Sequence, residues 1–336
     1  MKSKLLLIAL SITSFAFAQS PVQSYYGTNG VSFTIVGNTI NHAAAGANAT
    51  WNFTGLTSIG ESIDTDALPN GSELASFPGT TQKVVTTSTY DNNTTDTFTI
   101  FSKLVGGVLS FTAIDNGDVV LNYNTNNAAI GSFPLSYGYS NTDNVSGNYD
   151  NGSYAGTFSG SITTSVDAWG TLTVSGAGFT PFSGAVTRLK TTQTLSLNYG
   201  AFPNVGTVTE TTYCYYPTTG FAPGIPAFRT SIMTISVPLL SLNDNITQNE
   251  AFLSAPLATN QFVGAQDVLL APNPVTDILN IQSQDAIRLV SLTDVTGKIV
   301  LTASGSSIDV AHLQKGVYFA NIQTDSGSTV KKFIKK

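Results

Sequence analysis

The sequence predicts an all-β protein: a large antiparallel β-sandwich or jelly-roll-like domain followed by a small immunoglobulin-like β-sandwich. Composition is the first sign. Of 336 residues only 10% are charged, against roughly 25% in an ordinary soluble domain. The polar share falls instead to Thr, Ser, Asn and 30 glycines, residues of strands and tight turns rather than of helices. Periodicity is the second sign. From about residue 22 to 263, short runs alternate apolar residues with Thr, Ser or Asn and are broken by Gly, Asn, Asp and Pro, so each run buries one face and wets the other. Third, the amphipathic stretches of roughly a dozen residues that parallel βαβ units require are missing between the runs. Apolar residues make up 41%, enough for real cores.

Residues 1–18 read as a secretory signal peptide. Lys2 and Lys4 form the positive start, residues 5–10 with Ile12 and Phe15 the apolar stretch, and Ala16-Phe17-Ala18 the small-residue cleavage site. Cleavage after Ala18 leaves Gln19 first, with no cysteine there for a lipid anchor. No other run reaches the roughly 18 apolar residues needed to span a bilayer, so no transmembrane segment is expected. The larger domain, 19–242, carries strand patterns at 31–36, 83–90, 97–101 and 108–114. Asp115-Asn-Gly-Asp118 then turns the chain into 119–123 as a hairpin. Runs at 161–166 and 171–175 flank Trp169-Gly170, and longer strands follow at 186–199, 207–216 and 228–237. Residues 243–266 lose alternation and read as a linker. Charge changes across it. Residues 19–262 hold 14 acidic and five basic side chains, a balance of −9, whereas 263–336 hold six and seven, a balance of +1.

In the tail, 267–336, two prolines at 272 and 274 forbid ladder hydrogen bonds at their own positions. Seven short strand patterns follow one another around them, a compact immunoglobulin-like set. The spaced elements are Pro272-Asn273-Pro274, Asp294-x-x-Gly297-Lys298, Ile308-Asp-Val-x-x-Leu313, Gly316-Val-Tyr318-Phe319 and the terminal stretch with Lys331 and Lys335. In this order they resemble the type A C-terminal sorting domain of proteins exported by the type IX secretion system of Bacteroidota. Ala271 departs from the aromatic residue usual before the Pro-Asn-Pro element. The resemblance implies Sec export to the periplasm, outer-membrane translocation by the type IX translocon, and tail removal by a sortase-like peptidase. The product is then held at the outer cell surface or released. Gly46-Ala-Asn-Ala-Thr-Trp51-Asn-Phe53-Thr-Gly-Leu56 resembles a phrase near the start of many uncharacterised passengers of such cargo, and by its chemistry is a core plug.

What the passenger does is less legible. The net charge of −6 makes a nucleic-acid partner improbable. A single cysteine excludes an internal disulfide framework and a Cys-built zinc site. His42 reads as a loop residue with no nucleophile elbow to serve, and Cys214 as a small inward-packing apolar residue. Asp64 and Asp66 share one strand face and read as solvent-facing or as a weak calcium site. Calcium is the one cofactor the chain suggests, through oxygen-rich loops at 91–96, 115–118 and 141–151, although Asx side chains build such turns without metal. Tyr137, Tyr139, Tyr149, Tyr154 and Trp169 cluster in a Gly/Asn/Ser-rich region that reads as exposed loops, a candidate stacking platform for carbohydrate. The expectation is therefore a non-enzymatic cell-surface binding or adhesion module. A secreted polysaccharide hydrolase with a carboxylate pair in a sandwich cleft is the competing reading.

Overall fold

A computed structural model describes residues 20–254, 268–283, 287–295, 298–303, 305–324 and 327–336. The signal-peptide reading of 1–18 and the linker reading of 255–266 lie outside these residues. The chain divides into two compact units, Met1–Pro256 and Leu257–Lys336.

The first unit is built of strands: β1 (Val31–Val36), β2 (Gly46–Leu56), β3 (Ser58–Ala67), a six-residue helix α1 (Gly71–Ser76), β4 (Gln82–Tyr90), β5 (Thr95–Val105), β6 (Val108–Asp115), β7 (Val120–Asn126), β8 (Ala128–Gly131), β9 (Ser140–Asp150), β10 (Ala155–Gly176), β11 (Phe182–Tyr199), β12 (Phe202–Pro217), β13 (Phe228–Val237) and β14 (Leu242–Ser254). The all-β class and the dominant antiparallel sheet follow the sequence expectation. Ring strands that are neighbours in sequence pair with each other, and β14 returns to pair with β1. The pairings β1, β3 to β7 and β9 to β14 thus close twelve strands into an up-and-down ring. Closure leaves those strands no unpaired edge. β8 is an added partner of β6, and β2 an added partner of β10.

Three local readings change. The runs at 161–166 and 171–175 are one 22-residue strand, β10. Gly170, which stands between the two runs, is where Ala49 of β2 pairs with β10. A Cβ there would lie 1.8 Å from the Ala49 carbonyl oxygen, so only glycine admits the approach. A bulge at Asp167 turns the strand over, so that Val166 faces Leu189 inside the ring while Ala168, Leu172 and Val174 face a second core with Trp51, Phe53 and Leu56. Residues 141–150 are not a loop but most of β9, alternating exposed with half-buried or buried side chains. The linker reading fails over 243–254, which form β14 between β13 and β1. Its inward residues include Gln248 and Glu250, bonded to Ser88 and Arg229. A strand whose buried face is polar shows no hydrophobic alternation.

The second unit has seven strands: β15 (Leu269–Ala271), β16 (Ile278–Gln282), β17 (Ile287–Asp294), β18 (Ile299–Ala303), β19 (Ser307–Asp309), β20 (Gly316–Thr324) and β21 (Gly327–Lys335). They form a three-stranded sheet β15-β16-β19 and a four-stranded sheet β18-β17-β20-β21. Between them lies a separate core that includes Val268, Leu279, Ile308, Ala320 and Phe333.

Candidate functional site: a polar cavity inside the strand ring

An eight-stranded barrel is just wide enough to be filled by side chains or one small ligand, so twelve strands enclose more than their own side chains occupy. Segment 20–30 takes up part of the space. Val22 is buried among Leu135, Val166, Leu189, Cys214 and Tyr216, and Tyr25 packs edge-on to Phe111. A cavity of about 510 Å³ remains. Its lining includes the exposed residues Thr95, Asp96, Asp118 and Ile246, so it reaches solvent between the β4–β5 turn, the β6–β7 hairpin and β14.

Register places the wall residues in rows across five adjacent strands, β10 to β14. One row is Val166, Leu189, Cys214, Arg229 and Glu250. Two residues along lies a belt of hydroxyls and an amide: Thr164, Thr191, Thr212, Ser231 and Gln248. The next row is Ile162, Gln193, Glu210, Met233 and Ile246. Residues two apart share a strand face, which is why three rows of one wall come from five strands.

Three of the charges in this interior, Arg229, Asp64 and Glu250, are committed to one another. Arg229 donates to both Asp64 oxygens, at 2.6 and 2.9 Å, and to both Glu250 oxygens, at 2.6 and 3.1 Å, with its guanidinium 4.0 Å from the Phe33 ring centre. Thr86 donates to Asp64, and Ser62 to Glu250. Burial alone disfavours the cation, but the two carboxylates outweigh it and hold Arg229 well above the ordinary arginine range. Asp64 is therefore not solvent-facing as its sequence suggests, since β3 turns it inward onto Arg229. Burial raises the pKa of Glu210, which accepts a 3.0 Å hydrogen bond from Ser231. Burial and then the Asp64 charge raise Asp66. Burial pushes the Cys214 thiol up to about 11, so it stays protonated and packs, as its alternation predicts. Gln193 is 3% exposed. Its Oε1 accepts from the Tyr123 hydroxyl, and its Nε2 is buried with no hydrogen-bond partner among the described residues. The Thr164 hydroxyl, on the neighbouring strand, is also buried and unpartnered.

A second polar constellation sits in the other core. Arg188, 2% exposed, forks onto Asp167 with two 2.8 Å bonds and donates to the His42 carbonyl at 2.8 Å. His42 stacks on Tyr213 at 4.4 Å, and its Nδ1 lies 2.8 Å from the Tyr215 hydroxyl. Burial first, and Arg188 second, lower its pKa to about 4. The loop placement of His42 is as its sequence suggests; its packing is not.

The aromatic platform is not assembled. Tyr149 is 9% exposed within the ring core, and Trp169 lies half-buried in mid-strand on β10. Tyr154 pairs edge-on with Tyr199, while Tyr137 and Tyr139 border a separate shallow hollow. The exposed-loop reading holds for Tyr137 and Tyr154, which lie outside the strands and are exposed, and fails for Tyr149 and Trp169, which β9 and β10 carry as strand residues. In the suggested calcium loops, Asn92, Asp115, Asn116, Asp150 and Asn151 accept hydrogen bonds from backbone amides two or three residues on. Among the described residues no three His, Cys, Asp or Glu side chains converge to hold a metal. The cavity itself has one sequence signal, the polar pairs at alternate positions of β11 and β12, and these are indistinguishable from solvent-facing residues until the ring closes.

In the tail, motif pieces spread over sixty residues meet at one end of the small sandwich. Asn273 accepts from the Ile334 amide at 3.0 Å and donates to the Lys332 carbonyl at 3.2 Å, so its side chain stands in for a strand neighbour beside the two prolines. Gly316 pairs with Lys335, and Tyr318 with Phe333 on one side and Asp294 on the other. Tyr318 also donates to the Gln314 carbonyl at 2.8 Å, and Leu313 packs on the core. Asp294 closes its turn by accepting from the Lys298 amide at 3.2 Å; Gly297 lies outside the described residues. Lys331 is exposed, whereas Lys335 is 7% exposed.

Residues 270–336 match the family model of the secretion system C-terminal sorting domain. The tail is thus a type IX sorting domain and the chain is type IX cargo, directed to the cell surface or the extracellular space through that machinery. No curated protein matches the chain. Among solved structures, the dimeric latent PorU from Porphyromonas gingivalis is similar at 12% identity and a TM-score of 0.15, over 91% of this chain and 33% of that one. The chain spans about a third of that protein's length, and the likeness is too slight to inform fold or function. Among the described residues no helix is long and apolar enough to cross a membrane.

Proposed function

We propose that the passenger is a non-enzymatic binding module, exported by its tail, whose ligand site is the cavity inside the strand ring. Residues 1–18 act as the Sec signal, and a sortase-like peptidase removes the tail at the cell surface. The carrying observation is the cavity of about 510 Å³ that opens to solvent at one end, within the roughly 300–1,000 Å³ of small-molecule sites. The carboxylates support binding over hydrolysis. Glycoside cleavage needs one carboxyl free to donate a proton and another free to attack or activate water. Here Asp64 and Glu250 are both bonded to Arg229, Glu210 accepts from Ser231, and the other lining carboxylates, Asp66, Asp96 and Asp118, are exposed.

The test is a thermal-shift screen of a chemically mixed small-molecule library on the full chain and on Met233→Trp, which fills the cavity. Stabilising compounds that lose their effect in the variant are expected. An empty screen, compounds indifferent to the filling, or polysaccharide cleavage by the protein would each refute the proposal.

A further inference from the structure

We infer that the cavity takes a neutral, hydroxyl-rich small molecule, a sugar or polyol, held by the Gln193 amide and the threonine–serine belt of β11 to β13. This rests on the cavity being the passenger's binding site and adds the chemistry of what enters it.

The unsatisfied groups in the wall are uncharged. Gln193 is oriented by Tyr123, which leaves Nε2 as a buried donor with no acceptor among the described residues. A buried amide donor without an acceptor is costly, and such groups in a native interior call for an explanation. Thr191, Thr212 and Ser231 line the cavity beside it; the two threonine hydroxyls can both donate and accept, and that of Ser231, whose proton goes to Glu210, can accept. Ligand hydroxyls answer both kinds of group. The cavity is also faced by Tyr25, Phe33, Phe98 and Phe111, which suit the C–H faces of a sugar ring. In the depth of the cavity an ionic ligand meets no counter-charge that is both unpaired and readily ionised. An anion would meet Asp64, Asp66 and Glu250, with Arg229 already bonded to two of them. A cation would have to draw on Glu210 and Asp66, whose ionised forms burial disfavours, since Asp96 and Asp118 stand exposed at the mouth. Burying a charge without a free partner costs far more than burying a hydroxyl.

The test is isothermal titration of the full chain with D-glucose, D-galactose, D-mannose, N-acetyl-D-glucosamine, cellobiose, maltose and myo-inositol, set against D-glucuronate and D-glucosamine as charged counterparts. The inference expects at least one neutral compound to bind, at least tenfold tighter than the charged ones. Gln193→Met should weaken it about tenfold, the scale of one buried hydrogen bond to an otherwise unsatisfied donor, and Thr212→Val severalfold. Thr212→Val is nearly isosteric and decides the matter if Gln193→Met does not fold. Preference for a charged compound, or undiminished affinity in the folded variants, overturns the inference. So does silence from every neutral compound. If the thermal-shift screen still yields cavity-dependent compounds of another class, only the ligand chemistry is wrong; if that screen is also empty, the binding proposal falls with it.

Discussion

Arg229 is the residue on which the interior turns. It lies under two carboxylates, and removing it with Arg229→Met would leave Asp64 and Glu250 facing each other without a cation. Breaking one partner of a buried charge cluster costs about 3–5 kcal/mol, so a large drop in the urea midpoint is expected. Glu210 acts the other way. Its folded pKa lies above its unfolded one, so its contribution is fully present below about pH 4.5 and is lost as pH rises. Glu210→Gln should raise Tm at pH 7 by about 2–4 °C and have no effect at pH 4; an equal shift at both values would show that ionisation is not the cause. His42 is neutral in the folded protein, with its pKa lowered to about 4. The unfolded chain takes up the proton below about 6.5, so stability is full above that value, falls as pH drops toward 4 and levels off beneath it. In His42→Phe the slope between pH 6.5 and 4 should flatten, as followed by urea unfolding at stepped pH. Sequence shows Cys214 as a packing residue, while the roles of Asp64, Glu210 and His42 depend on partners 21 to 173 positions away in the chain.

At the scale of elements, most of the long strands are visible from alternation alone. β1 and β13 coincide with their expected limits, and the Asn-Gly hairpin joins β6 to β7. The misreadings have separate physical causes. Alternation reports apolar burial and is blind to polar burial, so β14, which turns Gln248 and Glu250 inward, reads as linker. β9 buries only Val145, Gly147 and Tyr149 among many Asn, Asp and Ser residues, too few apolar side chains to stand out from a loop. Trp51, Phe53 and Leu56 were legible as a core cluster and are buried at 2%, 4% and 4%. What sequence could not show is that β2 carries them against β10 by a parallel pairing that depends on Gly170. Gly170→Ala forces a Cβ onto the Ala49 backbone, which cannot swing aside. Overpacking of this kind costs about 1–3 kcal/mol or more. The near-UV circular dichroism of Trp51 should weaken together with the urea midpoint, and an unchanged spectrum and midpoint would show that β2 does not depend on this contact.

For the whole molecule, the two units differ in how much their sequences disclose. The tail shows its identity because its motif residues are scattered along the chain yet serve one end of a small sandwich, so each spacing is fixed by the strands between. The passenger discloses a class of fold and no chemistry, because its candidate site is the inside of a ring that exists only once β14 pairs with β1. The tail's role as an address is the claim on which the cargo assignment rests. It is tested most directly by fractionating medium, cell surface and periplasm for the full chain and for a chain lacking 267–336. The truncated chain should accumulate in the periplasm while the full chain reaches the surface or medium; the same distribution for both would contradict the assignment.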